Sequence, residues 1–303
     1  MGDFETEFVD WLATQLSAAD SVILGIGDDM ASLATRRDSM LMSSDMLLEG
    51  VHFDLEYDAP ALVGRKVVAC CASDCAAMAV RPTAMTISVA WSRERPMAVL
   101  KRIFEGAFDE ANRLGVPIVG GDTTSWDHPI ALDAVVVAEP YPDVAPVRRD
   151  HAQPGDALLV TGPLGGSRAG HHLTFVPRIS EAKTLAQGLG ASLHAMMDIS
   201  DGLSLDLWRL CQASGVGAVL EESRLGNAIS DAALRLAEST GRSPLDHALS
   251  DGEDFELLLA VDAHAALPNA VALIRVGRVV EEGFHLEAAD GSLKTIQPTG
   301  YIH

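Results

Sequence analysis

The sequence is poor in basic residues, which limits the partners that the protein can bind. It has 22 Lys and Arg against 43 Asp and Glu, and its formal charge is −21. Duplex nucleic acids require clustered cations to neutralise their phosphates, so we do not expect a nucleic-acid partner. An acidic chain can still hold phosphates through bridging cations. Some of its carboxylates would then be ligands, whereas the others form a solvated surface.

The sequence also lacks long apolar runs and paired cysteines. No run of about 18 apolar residues predicts a transmembrane helix, and residues 2–10 are acidic, unlike a signal or transit peptide. We therefore expect a cytoplasmic protein without a membrane partner. The four cysteines, Cys70, Cys71, Cys75 and Cys211, have no paired CxxC spacing. They are predicted to be small buried residues rather than a zinc site or a disulfide.

Two catalytic signatures are incomplete in the Gly-rich stretch from Gly162 to Gly170. The stretch lacks the Gly-Lys-Ser/Thr ending of a Walker A loop. It also has Ala169 where a Gly-x-Ser-x-Gly nucleophile elbow has its last Gly, so a serine hydrolase is only a weak alternative. A Gly-rich turn between a strand and a helix explains the stretch better.

The length of 303 residues suits two domains of about 150 residues each. Residues 140–146 contain three prolines and form a reasonable linker, so the predicted domains are 1–147 and 148–303. Predicted strands alternate with predicted helices in both halves, which indicates α/β layers. The clearest helices are residues 60–80, 97–114, 203–212 and 227–239, and the clearest strands are residues 83–91, 130–139, 157–161 and 257–261.

Carboxylates recur beside Gly or Ser at the ends of apolar segments. Val22 to Leu24 is followed by Gly-Ile-Gly-Asp-Asp, which ends at Asp29, and Met40 to Met42 is followed by Ser-Ser-Asp, which ends at Asp45. An Asp at such a place is also an ordinary turn residue. A lone Asp74 stands among small apolar residues, where its burial is costly unless it is paired or bound to a metal.

Two more acidic clusters follow the same pattern. Gly120-Gly121-Asp122-Thr123-Thr124 ends a short apolar strand and has the most ligand-like composition in the chain. Asp198-Ile199-Ser200-Asp201-Gly202 precedes a predicted helix, where Ser and Asp also serve as N-caps. The same position favours a bound anion.

Together these clusters predict a magnesium site. Asp29, Asp45, Asp74, Asp122 and Asp198 would repel one another at close range unless divalent cations neutralise them. Mg²⁺ prefers carboxylate and hydroxyl oxygens and shares its other positions with water and phosphate. Without a Walker lysine, the role that is left is a multi-magnesium platform for a polyphosphate, most simply ATP.

Six motifs occur along the chain in this order: Gly-Ile-Gly-Asp-Asp, Ser-Ser-Asp-Met-Leu-Leu-Glu-Gly-Val-His-Phe, Ala-Ser-Asp-Cys-Ala-Ala-Met, Gly-Gly-Asp-Thr-Thr, Asp-Ile-Ser-Asp-Gly-Leu and Gly-Glu-Asp-Phe-Glu-Leu. Their order resembles that of the thiamine-monophosphate kinases. The chain resembles that family from about Gly25 to Tyr301, within the superfamily of aminoimidazole ribonucleotide synthetase. The resemblance implies a two-domain α/β (α+β) fold with mixed sheets covered by helices. Residues 1–147 would bind metal and ATP and dimerise, and residues 148–303 would complete the active site.

The resemblance further implies ATP-dependent phosphorylation of thiamine monophosphate to thiamine diphosphate by a homodimer that uses several Mg²⁺ ions. By motif position, the magnesium ligands would be Asp29, Ser43, Ser44, Asp45, Asp74, Asp122, Asp198 and Asp201. ATP would contact Gly121, Asp122, Arg149 and Ser200. Thiamine monophosphate would contact His52, Glu253 and Tyr301. No side chain beyond the metal ligands is expected to take part in catalysis as a general base.

Several departures from the family pattern leave these metal residues unchanged. Ala79 and Asp251 stand where Gly is usual, Phe255 stands where Tyr is usual, and the segment between Gly170 and Arg178 is short. Three alternatives stay open at this point: another ATP-using member of the superfamily, a two-metal phosphohydrolase, or a nucleotide-binding regulator without catalysis. A regulator would not need so many metal ligands.

Overall fold

The chain divides into two compact units. The computed structural model describes Trp11, Thr14, residues 22–24, 32–33 and 40–301. The first unit comprises residues 1–72 and 81–140, and the second comprises residues 73–80 and 141–303. The sequence had placed the division after residue 147 and did not assign residues 73–80 to the C-terminal part.

The described residues of the first unit form two sheets. The smaller sheet is the antiparallel pair β1 (Val22–Leu24) and β2 (Ser32–Leu33). The strands of the larger sheet are β3 (Leu41–Leu48), β4 (Val80–Trp91), β5 (Ile118–Gly120), β6 (Thr123–Ser125) and β7 (Ala131–Pro140). Their order is β3-β7-β4-β5, with β6 also beside β4. Strand β3 is antiparallel to β7, whereas β5 and β6 are parallel to β4, so the predicted mixed sheet is confirmed.

Two helices of this unit contact each other through their backbones. Helix α1 is Pro60–Ala77 and helix α2 is Met97–Leu114, close to the predicted ranges. A Cβ atom added at Gly64 would lie 1.6 Å from the carbonyl oxygen of Ile103. A Cβ atom added at Gly106 would lie 1.9 Å from a carbonyl oxygen of the first helix. Glycine is therefore required on both helices because any side chain would separate them.

The described residues of the second unit form a seven-stranded sheet. Its strands are β8 (Ala157–Val160), β9 (Leu193–Asp198), β10 (Gly217–Glu221), β11 (Leu257–Val261), β12 (Ile274–Val280), β13 (Phe284–Glu287) and β14 (Leu293–Thr295). The order of the described strands is β14-β13-β10-β12-β8-β11-β9. Only the pairing of β10 with β13 is parallel among them.

Apolar residues cover both faces of this sheet. The helices of the second unit are α3 (His171–Thr174), α4 (Ile179–Leu189), α5 (Leu203–Ser214), α6 (Glu222–Leu225), α7 (Asp231–Thr240) and α8 (Pro244–Ser250). Leu158 and Met197 belong to a core cluster with residues of α5 and α8. Their neighbours Leu159 and Met196 belong to a second cluster with residues of α4. Alternate strand residues therefore pack against helices on opposite faces, as the resemblance implied.

The described part of the chain has no helix that is both long enough and apolar enough to cross a membrane. All four cysteines are buried, which confirms their prediction as small buried residues.

Candidate active site

Strand β3 presents the first predicted metal ligands on two different faces. Ser43 and Asp45 are half-buried and alternate with exposed residues, so their side chains lie on the same face. Ser44 is exposed on the opposite face, together with Met42 and Met46. The structure therefore brings Ser43 and Asp45 together but directs the side chain of Ser44 away from them.

His52 lies in a turn directly after β3, and its ring folds back onto the strand. The backbone N–H of Leu48 donates a hydrogen bond of 3.0 Å to Nδ1 of His52. Because Nδ1 accepts a hydrogen bond here, the ring is the neutral tautomer whose proton is on Nε2. The ammonium group of Lys66, which is fully buried, donates to the backbone oxygen of His52 at 2.7 Å. The predicted acceptor-binding histidine is thus held at both its ring and its backbone.

Gly121 and Asp122 lie between β5 and β6. A Cβ atom at Gly121 would lie 1.8 Å from the carbonyl oxygen of Ile87 in β4, so this glycine is needed for strand packing. Asp122 is exposed, and its backbone oxygen accepts a hydrogen bond of 2.8 Å from Val89. The carboxylate is thus carried by a backbone that the neighbouring strand holds in place.

Asp29 lies outside the described residues. Among the residues that the structure describes, no three His, Cys, Asp or Glu side chains are grouped closely enough to hold a metal ion. Mg²⁺ is usually bound through one or two carboxylates, with water and substrate phosphates in the other positions. The predicted ligands have suitable oxygen chemistry, and the magnesium platform stays a prediction.

In the second unit, Asp198 ends β9 and is buried. Its Oδ2 accepts a hydrogen bond of 2.6 Å from the hydroxyl of Ser73, which is also buried. Asp74, the next residue, is half-buried. The segment that carries Asp74 is therefore fastened directly to the carboxylate of a second predicted ligand. Ser73 was not singled out by the sequence analysis.

Backbone hydrogen bonds join the segments that carry four other predicted site residues. The N–H of Glu253 donates to the oxygen of Ser200 at 2.6 Å, and the N–H of Tyr301 donates to the oxygen of Asp201 at 2.9 Å. A Cβ atom at Gly300 would lie 2.4 Å from the same Asp201 oxygen. Residues predicted to contact magnesium, ATP and thiamine monophosphate are therefore neighbours in this unit.

Asp201 also belongs to a charged cluster at the start of α5. Asp206 accepts hydrogen bonds from the N–H groups of Asp201 and Gly202 at 2.9 and 3.1 Å. Burial raises the pKa of Asp206 to about 6, and its hydrogen bond from Asp201 opposes that rise. Arg209 forms ion pairs with both carboxylates. A magnesium ion at Asp201 would therefore compete with Arg209.

The acceptor segment, residues 251–256 with the predicted thiamine monophosphate contact Glu253, has an unusual backbone. Glu253 has a φ of 55° and Phe255 a φ of 51°, and Gly252 between α8 and these residues has a φ of 72°. Positive φ is uncommon for residues with a side chain and costs free energy. The segment is therefore held in place by its surroundings rather than by local preference.

Arg149 is exposed, and its backbone oxygen accepts a hydrogen bond of 2.9 Å from the hydroxyl of Ser214. The adjacent Arg148 lines an open cavity of about 480 Å³, together with His151 and His194. None of the predicted site residues lines this cavity. Its charged groups are paired locally, Arg148 and His151 with Asp150 and His194 with another carboxylate.

The sequence analysis missed residues that act on the predicted site from elsewhere in the chain. These are Lys66, Ser73 and Asp206, together with Arg178, which pairs with Glu256, and Asp254, which accepts a hydrogen bond from the N–H of Gly165. Lys66 and Ser73 could have been found in the sequence, because each is a polar side chain within a predicted buried helix. Asp254 was within a quoted motif, but no role was assigned to it because its partner is distant in sequence.

The comparisons with known proteins agree with one another. The family model "AIR synthase related protein, N-terminal domain" matches residues 27–139. The thiamine-monophosphate kinase of Rhodopirellula baltica is 36% identical over 313 residues, which cover 99% of this chain and 97% of that protein.

Solved structures show the same likeness. The thiamine-monophosphate kinase from Stenotrophomonas maltophilia K279a is 28% identical, with a TM-score of 0.78, and the match covers 97% of this chain and 98% of that chain. The structure of AaThiL complexed with AMPPCP and TMP is 26% identical, with a TM-score of 0.75, covering 98% and 96% of the two chains. Because the similarity extends over almost the whole length of the chains compared, this chain belongs to the thiamine-monophosphate kinase family.

Proposed function

We propose that this protein transfers the γ-phosphoryl group of ATP to thiamine monophosphate and so forms thiamine diphosphate. The observation that carries the proposal is the similarity, over nearly the full chain, to AaThiL, which was solved with AMPPCP and TMP. The segments of Ser200, Asp201, Glu253 and Tyr301 are joined by hydrogen bonds, which supports a shared site for nucleotide and acceptor.

We further propose that the reaction depends on magnesium. The ligands would be Asp29, Ser43, Ser44, Asp45, Asp74, Asp122, Asp198 and Asp201. When bound, the ions would neutralise the phosphate charges. Asp45 and Ser43 support this assignment because they share one face of β3. Ser44 would need to take part through its backbone oxygen, since its side chain is on the other face.

The chain's own groups would orient the two substrates. Gly121, Asp122, Arg149 and Ser200 would contact ATP. His52, Glu253 and Tyr301 would contact thiamine monophosphate. The ring of Tyr301 could face the cationic thiazolium, a contact worth about 0.5–2 kcal/mol. The neutral His52 would donate a hydrogen bond from Nε2 to an acceptor oxygen.

No protein base is required for the transfer. The second pKa of a phosphomonoester is about 6, so the attacking oxygen is already largely deprotonated at neutral pH. The residues of the site have to hold two anionic phosphates in line and exclude competing geometries. We therefore propose a direct transfer without a covalent enzyme intermediate.

We also propose that the protein is a cytoplasmic homodimer that pairs through the first unit. One face of β3 exposes Met42 and Met46, which are 75% and 58% accessible. In the register of β3 with β7, the half-buried Val137 is opposite Met42 and the half-buried Val135 is opposite Ser44, so both valines extend the same face. A second copy of the chain would cover this apolar surface.

The proposed activity is tested by incubating the protein with ATP, magnesium and a panel of phosphorylated acceptors. We expect ADP only with thiamine monophosphate, in an amount equal to the thiamine diphosphate formed. ADP without any acceptor would indicate a phosphohydrolase, and ADP with a different acceptor would indicate another reaction.

Variants test the magnesium residues in the same assay. Asp45→Asn and Asp122→Asn should each lower kcat about 100-fold or more, because each removes a charge next to the phosphates. Asp109→Asn is the matched control, since Asp109 is an exposed carboxylate of α2 in the same unit. Near wild-type rates for either site variant at saturating magnesium would contradict the proposed platform.

A further inference from the structure

Two segments of the second unit are fastened together by carboxylates. One is the strained segment Asp251–Glu256, and the other is the Gly-rich turn at Gly165 and Gly166. Asp254 Oδ1 accepts a hydrogen bond of 2.8 Å from the N–H of Gly165, and Asp251 Oδ2 accepts one of 3.1 Å from the N–H of Gly166. The turn at residues 162–170, which the sequence left without a role, is thus attached to the predicted acceptor segment.

The turn cannot move aside easily. Gly165 and Gly166 have φ values of 81° and 88°. Added Cβ atoms would lie 2.7 Å from the backbone nitrogen of Ala248 in α8 and 2.4 Å from Ala232 in α7. Contacts with these two helices therefore fix the position of the turn. The N–H groups of Gly165 and Gly166 are thus hydrogen-bond donors at fixed positions.

Asp254 differs from the carboxylates beside it. Asp251 pairs with Arg242 and His247, and Glu256 pairs with Arg178. Asp254 is 1% exposed, and among the described residues its Oδ2 has no hydrogen-bond partner. Burial raises the pKa of Asp254 well above its usual range, and the nearby Asp251 raises it further. Burial therefore favours the protonated form of the Asp254 carboxyl group.

We propose that Asp254 is a positioning residue for the phosphoryl acceptor, which anchors the acceptor segment to the Gly165 turn and so holds Glu253 in place. Glu253 adjoins Asp254 and keeps a positive φ that the chain would not adopt alone. The inference rests on the proposed function, because it assigns the anchored Glu253 to thiamine monophosphate.

Two further contacts extend the anchored region. The ring of Phe255 stacks on Phe175 with their centroids 4.0 Å apart and their planes at 16°. The backbone oxygen of Asp254 lies 3.4 Å from Nε2 of His171. The short segment between Gly170 and Arg178 is therefore also held against the acceptor segment, and loss of the Asp254 anchor should loosen both.

Two substitutions at one position separate the proposed role from others. Asp254→Asn has nearly the same volume and keeps an oxygen that can accept a hydrogen bond from the N–H of Gly165, so we expect KM and kcat within about threefold of wild type. Asp254→Ala removes the hydrogen-bond acceptor and leaves the buried N–H of Gly165 unpaired. We expect it to raise the KM for thiamine monophosphate by about tenfold or more, and the KM for ATP by about twofold at most.

A matched control accounts for general loss of stability. Asp156→Ala removes another buried carboxylate of the same unit, one that accepts from His194 and from the backbone of Gln153. It should lower the melting temperature without separating the two KM values. If Asp254→Ala does not fold, Asp254→Leu fills a similar volume without a hydrogen-bond acceptor and replaces it in the comparison.

The outcomes are distinct. A rise in the KM for thiamine monophosphate in Asp254→Asn equal to that in Asp254→Ala would overturn the inference, because the retained hydrogen bond from Gly165 would then not account for the effect. Equal changes in both KM values would also overturn it. A wild-type protein without activity on thiamine monophosphate would overturn the proposed function and this inference together. An active wild type without the expected separation would overturn the inference alone.

Discussion

At the scale of single residues, His52 shows how one backbone donor sets the chemistry of a side chain. The N–H of Leu48 occupies Nδ1, so Nε2 is the nitrogen that can donate to a ligand. We predict that His52→Gln retains more function than His52→Asn. The amide nitrogen of Gln lies approximately where Nε2 was, whereas that of Asn lies nearer Nδ1.

The measurement is the KM for thiamine monophosphate in both variants. We expect His52→Asn to raise it about tenfold or more and His52→Gln to raise it less, with the KM for ATP little changed in both. Val51→Ala is the control, because Val51 is the exposed neighbour in the same turn. A better substitution by Asn than by Gln would show that Nδ1 is the functional nitrogen.

Ala79 illustrates why a departure from a family pattern can be tolerated. It stands where Gly is usual and has a φ of 51°. A left-handed conformation costs roughly 1–2 kcal/mol for a residue with a Cβ. Its methyl group is buried in the second unit, which returns about 0.8 kcal/mol, and Ala loses less backbone entropy than Gly on folding. The opposing terms nearly cancel, so neither residue is strongly excluded.

At the scale of elements, the contact between α1 and α2 gives a prediction about stability. Gly64→Ala should destabilise the protein by about 3 kcal/mol or more, because its methyl group would overlap the backbone of Ile103. Gly188→Ala is the matched control. Gly188 is a helical glycine of α4, and an added Cβ there would lie 3.5 Å from Pro268. It should be neutral or stabilising by about 1 kcal/mol.

Urea unfolding followed by circular dichroism measures both changes. If the methyl group destabilises the folded protein, the urea concentration at the unfolding midpoint should fall for Gly64→Ala while the m value stays constant. Equal stability of the two variants would mean that the helices can separate without cost.

Strong local patterns predicted several elements from the sequence. Helix α2 was predicted with its observed ends because its residues recur at helical spacing, and in the structure Gly115 follows it in a left-handed conformation. Helices α4 and α8 were missed. The second has a capping box from Ser243 to Asp246, a signal that lies in so short a segment that periodicity could not support it.

The sequence predicted the site residues that lie at the ends of strands. It did not predict the residues that contact them from distant parts of the sequence. Asp198 could be selected from its place after an apolar segment. Ser73, which donates to it, is 125 residues away in sequence, and Gly165 is 89 residues from Asp254. Nor could spacing alone show that Ser44 is on the face opposite Asp45, because that depends on the observed extension of β3 through all of these residues.

At the scale of the whole molecule, the apolar face of the first unit predicts association. Met42→Glu should convert a dimer into a monomer, because two copies of the charge would meet at the same symmetric surface. Sedimentation velocity measures the change. Leu234→Glu is the control, since Leu234 is a 49% exposed apolar residue of α7 in the second unit. A dimer that survives Met42→Glu and dissociates with Leu234→Glu would place the interface elsewhere.

The last prediction concerns how a protein with a formal charge of −21 transfers phosphate between two anions. If the acceptor phosphate is itself the nucleophile, the rate should rise as its second proton is lost near a pKa of about 6 and then stay level to about pH 8. A catalytic histidine or cysteine would instead add its own titration to the profile.

Direct transfer also requires inversion at a chiral γ-phosphorus of ATP, since one displacement occurs at that atom. Retention of configuration, or isolation of a phosphorylated protein during turnover, would show that a side chain carries the phosphoryl group. The stereochemical result and the pH profile must agree, because both follow from attack by the acceptor phosphate alone.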